Sequence, residues 1–230
     1  MIPWISDGGD FPPLESALVE PSGLLCGGGD LAPETLLKAY SRGIFPWFND
    51  DQPVLWWSPD PRMVLFPDEF RVSRSLAKIV KSATFEIHFD RAFRDVIRQC
   101  AAPREPGGGT WIVSDMQEAY TRLHELGHAH SVESWRNGEL QGGLYGVALG
   151  KVFYGESMFT RVSDASKVAL VALVEKLRGD GFAMIDCQQQ TRHLASFGAR
   201  PIPRREFAER LSELIHLNDH TSCWKPVCPS

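Results

Sequence analysis

The sequence lacks the features that would place it in a membrane or outside the cell. No run of about 18 apolar residues occurs, so no membrane-spanning helix is predicted. The opening residues, MIPWISDGGDFPP, contain neither the basic nor the apolar segment of a secretory signal. The five cysteines are odd in number, and only Cys223 and Cys228 are close together, which is typical of reduced thiols. We therefore expect a cytoplasmic protein with no membrane partner.

The chain also lacks an excess of basic residues. It has 24 Lys and Arg against 29 Asp and Glu, a formal net charge of −5, which argues against a surface that is basic throughout. One segment without acidic residues nevertheless concentrates positive charge. Here Arg71, Arg74, Lys78 and Lys81 follow one another at intervals of three, four and three residues. A helix opened by Ser73 would place most of these charges on one face, which is either solvated or in contact with phosphates.

Residues 1–61 are rich in Pro, Gly and Trp and contain one predicted helix. Its sequence is LAPETLLKAYSRG, with Pro33 near the start and Gly43 just past the end, the usual asymmetry of helix termini. The rest of this segment is predicted to form turns and short extended stretches. We expect a small N-terminal domain over residues 1–61.

Residues 62–230 contain the patterns of a mixed sheet with helices packed on it. Helices are predicted over FDRAFRDVIRQCA and SDASKVALVALVEKLRGDG, and ELQGGLYGVAL and KVFYGESMF alternate as a hairpin joined at Gly150 and Lys151. The apolar run FAMIDCQ predicts a buried strand. The fold class is therefore α+β, with a small N-terminal domain followed by a mixed-sheet domain over residues 62–230. The final stretch, LNDHTSCWKPVC, carries no recognisable signal.

The segment RLHELGHAHS contains H-E-x-x-H, the pattern of zinc peptidases. A zinc site of that type needs both histidines on one helix face. The pattern here predicts a helix that starts at Ser114, with Gln117 completing a capping box, and that ends at Gly127. His124 would then lie in the last turn and His128 beyond it. We therefore predict a helix end and a strand start, with no metal.

Polar residues on two predicted buried strands are the strongest candidates for chemistry. Asp186 and Gln188 end one strand, and alternation places them on one face. On the hairpin, alternation puts Glu156 on the same face as Tyr154 and Met158. Buried carboxylates are costly without partners, so these residues belong either to a satisfied hydrogen-bond network or to a site that binds an amine and manages its proton. The glycines of the hairpin indicate either bulges or the close approach of a ligand.

Several motifs, in order along nearly the whole chain, resemble those of the leucyl/phenylalanyl-tRNA–protein transferases. They are GGDL, GIFPWF, LWWSPDPR, GTWI, HELGHAHSVE, GGLYGVALG, FYGESMF, SKVAL and IDCQ. The resemblance implies a small N-terminal domain plus a GNAT-like (acetyltransferase-like) domain. It also implies transfer of Leu or Phe, and less readily Met, from aminoacyl-tRNA to the N-terminal α-amine of proteins beginning with Arg or Lys, which marks them for degradation.

The same resemblance implies roles for individual residues. Asp186, Gln188 and Glu156 would be catalytic, and the basic residues from Arg71 to Lys81 would contact the tRNA body. The aromatic residues implied to hold the terminal adenosine are Trp47, Trp111 and Tyr120. The residues implied to line the aminoacyl side-chain pocket are Leu144, Phe153, Met158, Leu170, Leu173, Leu177 and Ile185. Because the aminoacyl ester is already activated, no cofactor or metal is required, only attack geometry and proton transfer.

Three other functions remain open on the residues alone. An acyl-CoA-dependent N-acyltransferase would need a pyrophosphate loop of the R/Q-x-x-G-x-G/A type after the central strand, and none follows the predicted strands. A non-catalytic tRNA-binding module would bind tRNA without transferring the amino acid. A cell-wall aminoacyltransferase of related fold would use a lipid-linked muropeptide as acceptor.

Overall fold

The computed structural model describes residues 2–103, 110–217 and Trp224, and its strands form two sheets. The smaller sheet has the order β1-β2-β4-β3 and lies entirely within the first 57 residues. Its strands are β1 (Trp4–Ile5), β2 (Leu24–Gly28), β3 (Phe45–Pro46) and β4 (Leu55–Trp57).

The larger sheet has the order β11-β5-β10-β9-β8-β7-β6. Strands β9 and β10 pair in parallel and the other neighbours are antiparallel, so the sheet is mixed, as predicted. Its strands are β5 (Arg62–Leu65), β6 (Glu86–Phe89), β7 (Ala129–Arg136), β8 (Glu139–Leu149), β9 (Val152–Thr160), β10 (Met184–Asp186) and β11 (Arg200–Ile202).

Helices cover both faces of the larger sheet. They are α1 (Pro33–Ser41), α2 (Arg74–Lys81), α3 (Phe93–Ala101), α4 (Ser114–Glu125), α5 (Ala165–Gly179), α6 (Arg192–Ala195) and α7 (Arg204–Leu214). One apolar cluster joins α1, α3, α4 and α7 to one face, and a second joins α2 and α5 to the other. None of the helices in the described ranges has the length and apolarity needed to cross a membrane.

The smaller sheet ends at Trp57 and the larger one begins at Arg62, so the expected division at residue 61 falls between them. The first apolar cluster crosses that point, because it contains Leu36 and Tyr40 from α1 together with Tyr120 from α4. The N-terminal segment is thus packed directly onto the larger sheet, and its independence as a domain stays a prediction.

The predicted start and end of α1 and the predicted start of α2 are confirmed. Helix α1 starts at Pro33, and the glycine past its end, Gly43, has a φ of +73°. Helix α2 is opened by Ser73, whose hydroxyl accepts a hydrogen bond from the N–H of Leu76. Ser73 and Gly43 therefore cap and terminate their helices as the sequence predicts.

The start of α3 and the N-terminal cap of α4 differ from the prediction. Phe89 belongs to strand β6, and α3 begins only at Phe93, because Asp90 adopts a left-handed backbone conformation after β6 has paired with β7. Helix α4 does begin at Ser114, but the predicted capping box is wrong. The side chain of Gln117 donates to the carbonyl of Ile112, and no side chain caps the helix.

A β-bulge in β9 corrects the predicted alternation of the hairpin. Tyr145 pairs with Ser157 and Gly146 with Gly155, so the ladder skips Glu156. Met158 consequently lies on the α5 face of the sheet, whereas Tyr154 lies on the opposite face. Bulges re-aim side chains beside functional sites, and this one separates Glu156 from regular strand pairing.

Candidate active site

A cavity of about 860 Å³ lies at the bulge, where β8, β9 and β10 meet α5. Its apolar part, called the acyl pocket below, is lined by five of the seven residues predicted for the aminoacyl side chain: Leu144, Met158, Leu170, Leu173 and Ile185. Phe153 and Leu177 do not line the cavity. Both are fully buried behind it, in the cluster that packs between the sheet and α5. A volume of this size suits a small organic ligand.

Some glycines of the hairpin are required by close packing, and one leaves space for a ligand. A Cβ on Gly142 would lie 2.7 Å from the Cβ of Ala165, and one on Gly146 would lie 2.1 Å from the carbonyl oxygen of Tyr154, so close packing explains these two. A Cβ on Gly155 would meet nothing closer than 3.7 Å, and this glycine lines the cavity. Only Gly155, of these three, leaves open space that a ligand can use.

Glu156 projects into the cavity and is held by three neutral donors. Tyr40 Oη donates to Oε1 at 2.8 Å, Tyr120 Oη donates to Oε2 at 3.1 Å, and Gln188 Nε2 donates to Oε1 at 3.2 Å. The two tyrosine hydroxyls also contact each other, and because each carries a single proton, all three contacts can be hydrogen bonds at once only when Glu156 is protonated and donates to one of them. Burial raises the pKa of Glu156 to about 7, although the tyrosine hydrogen bonds oppose the shift. The carboxyl group can therefore exchange a proton near neutral pH.

Asp186 is held differently. It is fully buried, and its two oxygens accept from Arg62 Nε at 2.8 Å and Arg62 Nη2 at 2.6 Å. Arg62 also donates to the carbonyl of Gly43 and lies over the ring of Phe45. Asp186 does not line the cavity, so it reaches a ligand only through its neighbours.

Gln188 connects the two carboxylates. Its backbone N–H donates to Asp186 Oδ1 at 2.9 Å, and its side-chain amide reaches Glu156. The predicted alternation over this segment is wrong, because β10 ends at Asp186 and Gln188 has a φ of +52°. The left-handed backbone turns the amide into the cavity, where Gln188 is one of the lining residues.

Two of the three aromatic residues predicted to bind adenosine line the cavity. They are Trp47, which is 37% exposed and packs against Trp57 at 5.3 Å between ring centroids, and Trp111. Tyr120 is fully buried and lies outside the cavity wall, so its contribution there passes through its hydroxyl bond to Glu156. This burial assigns Tyr120 to the support of the carboxyl group and not to stacking.

Sequence reasoning missed two residues that hold the site. Tyr40 lies in a helix that was predicted correctly, but nothing in the sequence indicates which face of that helix meets Glu156. Arg62 is the last residue of the quoted motif LWWSPDPR. An arginine at this place was a usable signal, because a buried carboxylate requires a cationic or hydrogen-bonding partner, but the sequence does not indicate which carboxylate it meets.

The basic strip, formed by Arg71, Arg74, Lys78 and Lys81, is exposed on and just before α2. Within the described ranges, none of these four side chains forms a salt bridge with a carboxylate, so their charges face solvent. No residue of the strip lines the cavity. The strip is therefore a separate surface, available to a polyanion.

The histidines of H-E-x-x-H do not share a helix face, as predicted. His124 lies in the last turn of α4, Gly127 has a φ of +84°, and His128 lies beyond the helix. His124 instead comes close to His130 and Asp90, whose candidate ligand atoms all lie within 4.8 Å of one another. His130 Nδ1 lies 2.8 Å from Asp90 Oδ2, and its Nε2 lies 3.2 Å from the carbonyl oxygen of Gly127.

A covalent nucleophile is not supported by the thiol in the wall. Cys187 lines the cavity, but burial raises its pKa well above the usual range of a thiol, with the charge of Asp186 acting in the same direction. The reactive thiolate form is disfavoured there. Cys223 and Cys228 lie outside the described residues.

Comparisons with known proteins identify a family for the chain. The family model of the leucyl/phenylalanyl-tRNA protein transferases matches residues 64–212, and that of their N-terminal domain matches residues 29–60. The leucyl/phenylalanyl-tRNA–protein transferase of Nitrosospira multiformis is 61% identical over 97% of each chain. That of Stutzerimonas stutzeri is 60% identical over 95% of this chain and 96% of its own.

Among solved structures, a GCN5-related N-acetyltransferase from Kribbella flavida is 11% identical with a TM-score of 0.38, covering 77% of this chain and 65% of its own. This similarity is too low to support any conclusion, whereas the sequence relatives cover almost the whole chain. The chain therefore belongs to the leucyl/phenylalanyl-tRNA–protein transferase family and is an aminoacyltransferase.

Proposed function

We propose that this protein transfers Leu or Phe, and less readily Met, from aminoacyl-tRNA to the N-terminal α-amine of proteins that begin with Arg or Lys. The observation that carries the proposal is a carboxyl group with a pKa of about 7 at the edge of an apolar pocket. The transfer would mark the acceptor protein for degradation. The partners are leucyl-, phenylalanyl- and methionyl-tRNA and the acceptor proteins.

The acyl pocket supports the choice of donor. Its walls are Leu, Met and Ile side chains, which exclude charged amino acids because burying an unpaired charge is costly. Discrimination between Leu, Phe and Met is weak in such a pocket, since one methylene contributes only about 1–3 kcal/mol. Broad selectivity for large apolar amino acids follows.

Trp47 and Trp111 support the placement of the tRNA end. Both line the cavity that contains Glu156, so a terminal adenosine stacked on them would bring its ester toward the carboxyl group. Stacking of one base on an aromatic side chain contributes about 1–3 kcal/mol. The basic strip would contact backbone phosphates farther along the tRNA.

The proposed step uses Glu156 as the proton acceptor. The acceptor's α-amine attacks the ester carbonyl, forming the C–N bond and a tetrahedral intermediate. Glu156 takes a proton from the amine nitrogen and returns it to the ribose oxygen as the C–O bond breaks, so the products are the extended protein and free tRNA. Gln188 orients the attacking α-amine. Asp186 fixes the backbone of Gln188 without touching substrate.

The direct test is a transfer assay with charged tRNA and short peptides. Labelled Leu and Phe are expected on peptides that begin with Arg or Lys, and not on the same peptides with an acetylated N-terminus or with N-terminal Ala. Binding of tRNA without transfer would favour a tRNA-binding module. Transfer to N-terminal Ala as readily as to Arg would contradict the proposed acceptor class.

A further inference from the structure

One residue from the C-terminal stretch, which carries no recognisable sequence signal, is part of the core. Trp224 is 3% exposed and belongs to the apolar cluster between the larger sheet and α5. That cluster also contains Leu170, Leu173 and Ile185, which line the acyl pocket. Trp224 therefore belongs to the same packed cluster as part of the pocket wall.

Four side chains fix the indole ring. His130 stacks on it with ring centroids 4.1 Å apart and an interplanar angle of 10°, and Phe153 stacks at 5.7 Å and 24°. Phe89 meets it edge-on at 6.3 Å, and the ammonium group of Lys176 lies 5.1 Å from its centroid. The His130 ring beneath the indole also contacts Asp90 through Nδ1 and the carbonyl of Gly127 through Nε2.

Phe153 transmits this contact to the pocket. A Cβ on Gly146 would lie 2.6 Å from the ring of Phe153, so that ring packs closely against β8 at this glycine. Phe153 also pairs in register with Ile185 on the parallel strand β10. Phe153 is thus adjacent both to Trp224, on which it stacks, and to Ile185, which lines the acyl pocket.

We propose that Trp224 is a positioning residue that sets the depth of the acyl pocket through Phe153, and thereby the selectivity between Leu and larger donors. The inference rests on the proposed function. Protein interiors are packed closely enough that a missing indole leaves a gap into which neighbours move. Retreat of Phe153 and Ile185 into that gap would deepen the pocket, favour bulky side chains and leave Leu poorly supported.

The test varies the donor side chain on a single tRNA body, so that tRNA recognition is constant. The tRNA carries Leu, Phe or para-bromophenylalanine, and kcat/KM is measured with one Arg-terminated peptide. Trp224→Ala is expected to raise the Phe-to-Leu and bromophenylalanine-to-Phe ratios about tenfold, within the range set by one or two methylenes. Trp224→Phe, which keeps a stacked ring, should restore most of the original selectivity.

Trp4→Ala is the matched control, because Trp4 is 66% exposed on β1 and contacts neither the cavity nor Trp224. A lower melting temperature with unchanged donor ratios in both Trp224 variants would overturn the inference, since it would show a purely structural role. If Trp224→Ala does not fold, Phe153→Leu should produce the same shift, and combining it with Trp224→Phe should add little. An unchanged ratio in Phe153→Leu would also overturn it.

The failure of the proposed function is a separate result. An inactive wild-type protein with every donor and peptide would contradict the transfer reaction. An active wild-type protein whose variants keep its donor ratios would contradict only the role of Trp224.

Discussion

The two carboxylates on neighbouring strands of the site, Asp186 on β10 and Glu156 on β9, are held by opposite means. Asp186 is fully buried and faces the guanidinium of Arg62 through two hydrogen bonds. Glu156 faces the cavity and accepts from neutral donors, two tyrosines and one amide. A cationic partner keeps a carboxylate charged, whereas neutral donors and burial leave it close to its titration point. The first region is therefore built to stay fixed, and the second to exchange a proton.

The ion pair should show the largest effect when it is broken. Arg62→Met leaves the charge of Asp186 buried without its partner, and we expect a loss of about 3–5 kcal/mol in the free energy of unfolding. Urea denaturation followed by circular dichroism measures this loss. The double variant Arg62→Met/Asp186→Leu should recover most of the stability without recovering transfer. Full stability of the single variant would contradict the anchoring role of this pair.

Removal of the carboxyl group of Glu156 should lower the transfer rate without affecting folding. Glu156→Gln keeps the size of the side chain but cannot accept a proton, so the single-turnover transfer rate should fall about 10²–10⁴-fold. The exposed residue Glu175 on α5 offers the matched control, Glu175→Gln. A wild-type rate in Glu156→Gln would assign proton transfer to another group.

The hydrogen bond from Tyr120 should set the pKa of Glu156. Tyr120→Phe removes a donor that favours the ionised form, so the pKa of Glu156 should rise and the acid limb of the rate should move about one pH unit upward. Tyr145→Phe is the control, because no partner for the hydroxyl of Tyr145 is present among the described residues. An identical shift of the acid limb in both variants would show that it does not arise from the hydrogen bond between Tyr120 and Glu156.

Substitutions in the basic strip should have the smallest effect and should not alter the behaviour of Glu156 or Asp186. Arg74→Ala/Lys78→Ala is expected to lower the slope of log K against log salt for tRNA binding by about one per lost phosphate contact. The single-turnover rate at saturating tRNA, and its pH dependence, should not change. A shifted acid limb in this variant would contradict the separation between strip and cavity.

The sequence predicted the elements better than the contacts between them. Capping and periodicity located α1, α2 and the β8–β9 hairpin because those signals are local. The bulge at Glu156 and the left-handed Gln188 escaped prediction, since both arise where strand pairing gives way to the cavity. These two irregularities, and not the regular alternation, bring the amide and the carboxyl group together.

Long-range partners were the other part that the sequence could not supply. Tyr40 and Arg62 meet Glu156 and Asp186 across more than a hundred residues, and Trp224 reaches Phe153 from the end of the chain. No local pattern encodes such contacts. The family resemblance named nine of the residues that line the cavity, but it did not distinguish lining residues from those, such as Tyr120, that support them.

The pH dependence of the single-turnover transfer rate in wild type and Glu156→Gln, measured side by side, tests the central claim most directly. In the wild type the rate should rise with pH through about 7, because Glu156 accepts a proton only when it is ionised. In Glu156→Gln the rate should be low and should keep only the rise due to the acceptor's α-amine, whose ordinary pKa is about 8. A limb near pH 7 that persists in Glu156→Gln would contradict the account.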